Sequence, residues 1–127
     1  MTIYTARPTN AERTEARALQ AAVKELISQE PWAHAKSLGP KPSFKRRLYK
    51  RWPRLSYTQA FIEWARLLVK QEARCAITGC NGGWPLHIDH DHDTGEVRGL
   101  LCNNCNLTLR RAVTVHRLES LLDYLRG

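Results

Sequence analysis

The chain has 127 residues, which suits one domain with an appended arm, and 43% of them are hydrophobic, enough for a modest core. No run approaches the roughly 18 apolar residues of a membrane-spanning helix, and residues 1–8 lack the apolar stretch of a secretory leader, which points to a cytoplasmic, reducing setting. A net charge of +8 and a pI near 9.7 predict a polyanionic partner. The surplus is uneven: residues 1–70 carry 14 Lys and Arg against 5 Asp and Glu, whereas residues 71–127 carry 6 against 7.

In chain order, Thr9-x-x-Glu12 is a capping-box pattern that opens a helix to about Gln29, with Leu19, Val23, Leu26 and Ile27 on one face. Pro31 stops it. Residues 31–53 hold Pro31, Gly39, Pro40, Pro42 and Pro53 and predict loop with short helical turns. Within them lies a basic run without an acid: Lys41, Lys45, Arg46, Arg47, Lys50, Arg51 and, just after, Arg54. Such a run neutralises phosphates and releases counterions, which makes it a DNA clamp. Tyr49 and Trp52 are interleaved and either stack on bases or pack on the next helix. Ser56-x-x-Gln59 is a second capping box, opening a helix to about Glu72 with Phe61, Trp64, Ala65 and Leu68 turned to the core. From Cys105 to Arg126 the pattern is helical again, with a break near Val113 and an apolar stripe of Leu118, Leu121, Leu122 and Leu125.

The cysteines read Cys75-x4-Cys80, then Cys102-x2-Cys105. Two short pairs joined by a loop are the spacing of a tetrahedral thiolate zinc site, since each tight turn aims two sulfurs at one point. Gly79 suits the first turn, and Asn103 and Asn104 suit the second. Four protein ligands leave no open position, so a zinc at Cys75, Cys80, Cys102 and Cys105 is structural.

Between the pairs, Leu86-His87-Ile88 predicts a strand, Asp93-Thr94-Gly95 a turn and Val97 to Leu101 the returning strand, with a helix from near Cys105. The segment Asp89-His90-Asp91-His92-Asp93 crowds carboxylates, which hold hard cations such as Mg²⁺, against imidazoles, which serve as general bases. A second zinc at His87, His90 and His92, and a plain solvated turn, are the competing readings. Arg98 predicts either a contact to the DNA backbone or a simple ion pair to Asp93 or Glu96. His34 and His116, and Trp32 and Trp84, read as surface or packing residues.

The run from Cys75 through Leu86-His87-Ile88-Asp89-His90-Asp91-His92, Thr94-Gly95, Val97-Arg98-Gly99-Leu100-Leu101-Cys102 to Cys105-Asn106 resembles the recombination endonuclease VII family of His-Me finger (ββα-metal) nucleases. The resemblance spans roughly residues 74–125. It implies His90 as general base, Asp89 and Asn106 as ligands of one catalytic Mg²⁺ (or Mn²⁺), His92 as an auxiliary phosphate-gripping residue, and cleavage to a 5′-phosphate and a 3′-hydroxyl. Two departures stand out. The first cysteine pair has four intervening residues rather than two, and Leu109 stands where junction-resolving members carry glutamate. The long C-terminal dimerisation region of those members is also absent after Asn106, which leaves a homodimer open.

The expected architecture is therefore mainly α with a small zinc-stapled β-hairpin, a ββα-metal motif in the C-terminal half. Residues 1–73 form a basic helical DNA-binding region, and residues 74–127 the nuclease motif. The expected function is metal-dependent DNA cleavage in the cytoplasm, that of the host if the protein is phage-encoded. The alternatives are a non-catalytic zinc-containing DNA-binding accessory protein and a protein-interaction zinc knuckle.

Overall fold

The computed structural model describes residues 7–28, 42–80, 82, 86–111 and 114–127. Lys41, Trp32, His34 and Trp84, the stop at Pro31 and the break at Val113 lie outside them. The architecture is mainly helical with one two-stranded antiparallel hairpin. The order is α1 (Asn10–Ser28), α2 (Pro42–Arg51), α3 (Tyr57–Lys70), β1 (Leu86–His90), β2 (Val97–Cys102), α4 (Asn103–Arg111) and α5 (Val115–Arg126).

Both capping boxes close as their spacing predicts. The Thr9 N–H donates to Glu12 Oε1 at 2.9 Å and the Glu12 N–H to Thr9 Oγ1 at 3.1 Å. The Ser56 N–H donates to Gln59 Oε1 at 3.0 Å and the Gln59 N–H to Ser56 Oγ at 3.2 Å. Each satisfies two amides that a helix start leaves without intrahelical partners. Val23 and Ile27 of α1 are buried against α3, with Leu19 and Leu26 packed partly beside them. Glu15 and Arg66 pair across the two helices.

The stretch around Lys45 is a helix of ten residues, not loop with short turns. Pro42 is its first residue, where proline's fixed φ helps and its missing N–H costs nothing. Phe44 and Leu48, one helical turn apart, are buried, and Phe44 meets Trp64 of α3 edge to face at 4.9 Å. Two anchors at i and i+4 suffice to hold a short helix whose remaining surface is charged. Lys45 also lies 4.9 Å above the Tyr57 ring, tying the basic face to the start of α3.

One buried cluster joins both halves of the chain: Val23, Ile27, Phe44, Leu48, Trp64 and Leu68 with Leu86, Leu100 and Leu101. The hairpin alone has too little apolar surface to persist in water, so α3 is its platform. The link between them is Gln71, beyond the end of α3. Its Nε2 donates to the carbonyls of Arg74 and Leu100, both at 2.8 Å, and its Oε1 accepts the Leu100 N–H at 3.0 Å. A side-chain amide thus supplies β2 with the pairing of a missing third strand, and Ala76 N–H completes it by donating to Leu100 O at 3.0 Å. Gly99 lets Gln71 come this close, since a Cβ there would stand 3.3 Å from Gln71 Oε1. Nothing in the local pattern around Gln71 distinguishes it from a solvated helix end. Its replacement by alanine is expected to cost about 1–3 kcal/mol, because the Leu100 N–H loses its acceptor and the Arg74 carbonyl its donor, while Leu100 O keeps the Ala76 N–H. Chemical denaturation would measure this, and a loss below about 0.5 kcal/mol would contradict the bridging role.

The last helix departs from a packed element. None of the residues of α5 is buried, and Leu118, Leu121, Leu122 and Leu125 keep between 38% and 79% of their surface. Its apolar stripe is real but faces outward. Thr114 caps the helix, accepting the Arg117 N–H at 3.0 Å.

Candidate active site and metal centre

Cys75 and Cys80 precede the hairpin, Cys102 closes β2 and Cys105 lies in the first turn of α4. Their four Sγ atoms all lie within 4.8 Å of one another, with Cys80 at 3.7 Å from Cys102 and 3.6 Å from Cys105. Metal–sulfur bonds of about 2.3 Å in a tetrahedron separate the sulfurs by about 3.8 Å, so the quartet has the size of one such ion. No disulfide joins them. Backbone amides point at the sulfurs, Gly82 N–H toward Cys80 at 3.3 Å and Cys105 N–H toward Cys102 at 3.5 Å. Gly79 does adopt the left-handed turn that its position requires, with φ +78°.

Gly82 carries a constraint that spacing alone does not reveal. A Cβ on it would lie 2.7 Å from Cys102 Sγ and 3.2 Å from Cys80 Sγ, inside the sulfur cluster. Without an ion, hydrogen bonds among the sulfurs and their neighbouring amides ionise the thiols unequally. Hydrogen bonding with Cys80 and Cys102 pushes Cys105 up to about 12, while the Cys105 N–H draws Cys102 down. A dication reverses this by stabilising every thiolate together.

The hairpin built on this base carries the histidines and carboxylates. Asp91 makes its turn: the carboxylate accepts the N–H groups of Asp93 at 2.8 Å and Thr94 at 3.0 Å, which also lowers its pKa. Gly95 at φ +80° completes the turn. Asp91 is thus engaged locally. His87 sits opposite Leu101 in the ladder. Among the described residues the cysteines form the group of His, Cys, Asp and Glu ligands able to converge on one ion, and His87, His90 and His92 form none. The described residues thus give the second-zinc alternative no converging ligand set.

His90 and His92 stand side by side, ring centroids 4.7 Å apart. The pKa of His90 is lowered, first by burial, then by the positive field of Arg51, by His92 and by Arg98, against the upward pull of Asp89. The end of α2 therefore reaches the hairpin. Arg51 and Trp52 also line a cleft of about 460 Å³ with Glu63 and Leu67 of α3 and residues 94–97 of the hairpin. Trp52 packs partly against the core, whereas Tyr49 is exposed. Lys45, Arg46, Arg47, Lys50 and Arg54 are exposed, and Arg51 is half-buried. The basic run is thus solvent-exposed along α2 and the turn after it, and its Arg51 is close enough to His90 to act on it electrostatically.

Asp89 is the buried carboxylate of the hairpin. The ion pair expected between Arg98 and Asp93 or Glu96 is made to Asp89 instead: Arg98 Nε–H donates to Oδ2 at 2.9 Å and Nη2–H to Oδ1 at 3.1 Å. The cause is a register shift. Asp89 pairs with Gly99 and His90 with Val97, which leaves Arg98 as the extra residue in β2. Such an irregularity re-aims a side chain that regular alternation would have sent elsewhere. Asn106 sits half-buried in the first turn of α4, and α4 packs on both strands. Leu109, one turn on, packs against the core, an apolar role that a glutamate would not fill.

A 43-residue stretch is 46% identical to the Gene 59 protein of Mycobacterium phage D29, covering 32% of this chain and 26% of that protein. No solved structure matches. Among the described residues, no helix is long and apolar enough to cross a membrane. The family model described as recombination endonuclease VII matches residues 49–127. The match thus begins in α2, ahead of residue 74 where the motif resemblance starts, and it takes in the helices that carry the hairpin. With more than half of its length matched, this chain belongs to the recombination endonuclease VII family.

Proposed function

We propose that this protein is a metal-dependent DNA endonuclease that hydrolyses phosphodiester bonds with His90 as general base. The observation that carries the reading is the position of His90. It is a partly buried imidazole on a hairpin whose base gathers four cysteines, in surroundings that favour its neutral form, chiefly burial and then the positive charge of Arg51. Zinc at Cys75, Cys80, Cys102 and Cys105 is a scaffold in this proposal. Asp89 and Asn106 would hold one Mg²⁺ or Mn²⁺, since a carboxylate and an amide oxygen are the hard donors that such ions take. When bound, that ion supplies charge neutralisation at the leaving oxygen.

The chain's own side chains do the rest. The neutral imidazole of His90 accepts a proton from the attacking water. His92, alongside it, grips the phosphate, as does the free face of the arginines. Lys45, Arg46, Arg47, Lys50, Arg51 and Arg54 neutralise neighbouring phosphates and keep the duplex against the hairpin. Residues 1–73 thereby hold DNA and residues 74–127 cut it. Similarity to a phage protein supports a phage setting, with the host cytoplasm as the place of action. Nicking, duplex cleavage and branched-DNA cleavage all fit this machinery. Leu109 and the outward apolar stripe of α5 do not favour junction resolution in particular.

Plasmid cleavage tests the proposal. Conversion of supercoiled DNA is expected with Mg²⁺ or Mn²⁺ and none with EDTA. Binding without cleavage, across both ions and several DNA forms, would establish the accessory-protein alternative instead.

A further inference from the structure

We infer that Arg98 occupies the place of the catalytic cation on Asp89 in the metal-free protein, and that it gives up the carboxylate and turns to the DNA phosphate when the site is loaded. The inference rests on the proposed role of Asp89 as a divalent-ion ligand. It deepens that role by assigning a second state to an arginine.

Three features of the pair lead to it. First, both carboxylate oxygens of Asp89 are engaged by the one guanidinium, at 2.9 and 3.1 Å. Each oxygen keeps a second lone pair, but a dication bound there would stand beside the guanidinium and repel it. Second, the two partners are unequally buried. The Asp89 side chain keeps only 10% of its surface, whereas that of Arg98 keeps 50%. A carboxylate so enclosed is costly to leave unpaired, which gives the metal-free protein a use for a resident cation. The guanidinium, on the open side, can leave without disturbing any packed residue. Third, the pairing is built into the backbone. The register shift between Asp89 and His90 makes Arg98 an extra residue in β2, and this places its side chain against Asp89.

The exchange has an electrostatic consequence. Paired with Asp89, Arg98 contributes no net charge toward DNA. Released, it adds a fixed fork of donors beside His90, where a phosphate must lie for hydrolysis, and guanidinium geometry suits phosphate oxygens. Occupation of Asp89 and binding of phosphate then favour each other, and the coupling is reciprocal. The resting protein is thereby kept from offering its full positive charge to DNA before the site can cut.

The test uses the full chain with its cysteine quartet loaded. Manganese titration followed by electron paramagnetic resonance, without DNA, measures occupation directly. Arg98→Ala is expected to bind Mn²⁺ about tenfold more tightly than wild type, because the competitor is gone. Arg98→Lys, which keeps the charge but loses the fork, is expected in between. In parallel, the ¹⁵N signal of the Arg98 Nε–H in wild type is expected to move, as Mg²⁺ is added, to the position it takes in metal-free Asp89→Asn. This second measurement needs no variant at position 98 to fold. Equal or weaker Mn²⁺ binding by Arg98→Ala would overturn the exchange, and so would an Nε–H signal unmoved at saturating Mg²⁺. Absence of any Mn²⁺ binding by wild type would instead remove the assignment of Asp89, and the exchange with it.

Discussion

His90→Ala is expected to lower the cleavage rate by about 10²–10⁴-fold, the range for loss of a positioned general base, while leaving the helical signal and the melting temperature near those of wild type. The imidazole lies outside the buried cluster, and its removal costs mainly the contact with the His92 ring. The pH profile gives an independent readout. A general base works in its neutral form, so activity rises with pH through the pKa of His90. Burial, Arg51, His92 and Arg98 together hold that pKa below its ordinary value. The acid limb should therefore fall below the usual histidine value of about 6.5. Arg51→Gln removes a positive neighbour, which makes protonation easier and moves the limb up in pH. Cleavage by His90→Ala at the wild-type rate would exclude His90 as the base. A limb that stays in place in Arg51→Gln would exclude the electrostatic link between α2 and the hairpin.

The second large effect concerns the cysteine quartet. Removing the metal with a strong chelator, or replacing Cys102 by serine, is expected to abolish cleavage and lower stability by about 3–5 kcal/mol. That loss corresponds to roughly 10–25 °C in Tm for a domain of this size. Structural zinc contributes on the order of 10–16 kcal/mol in isolated small modules. Here the loss is smaller, because Leu86, Leu100 and Leu101 also hold the hairpin on α3. The two halves should respond differently. α1 and α3 bury their own faces against each other and should keep their helicity. The hairpin and α4, with no buried residue in α4, should lose dispersion in an amide correlation spectrum. Acid should mimic the chelator, since the cysteines must shed protons to bind and Cys105 is held at about 12 without the ion. A Tm unchanged by chelation, in protein shown by elemental analysis to be metal-free, would refute the scaffold role.

Much of this protein is legible from local pattern. Capping boxes at Thr9 and Ser56, the paired cysteines, and the turn around Gly95 each depend on residues within a few positions of one another. The physical rules for helix starts, thiolate sites and tight turns act at that range. The same rules misjudge residues 42–51, where prolines argue for loop. They cannot register that Phe44 and Leu48 find Trp64 and its neighbours waiting in α3.

The cysteine quartet was thus legible in the sequence alone, and the same reading singles out Asp89 and His90 for the proposed chemistry, because metal and proton chemistry restrict which side chains can serve and at what spacing. Which partner each of them meets was decided only by the tertiary structure. Arg98 pairs with Asp89 because one residue of β2 falls out of register, and Gln71 bridges to Leu100 because α3 ends beside that strand. Arg51 bears on His90 because Phe44 and Leu48 hold α2 on α3, the helix that also carries the hairpin, and Gly82 must be glycine because two sulfurs crowd it. Spacing along a chain fixes the chemistry on offer, whereas register and packing between distant segments set the distances at which that chemistry acts.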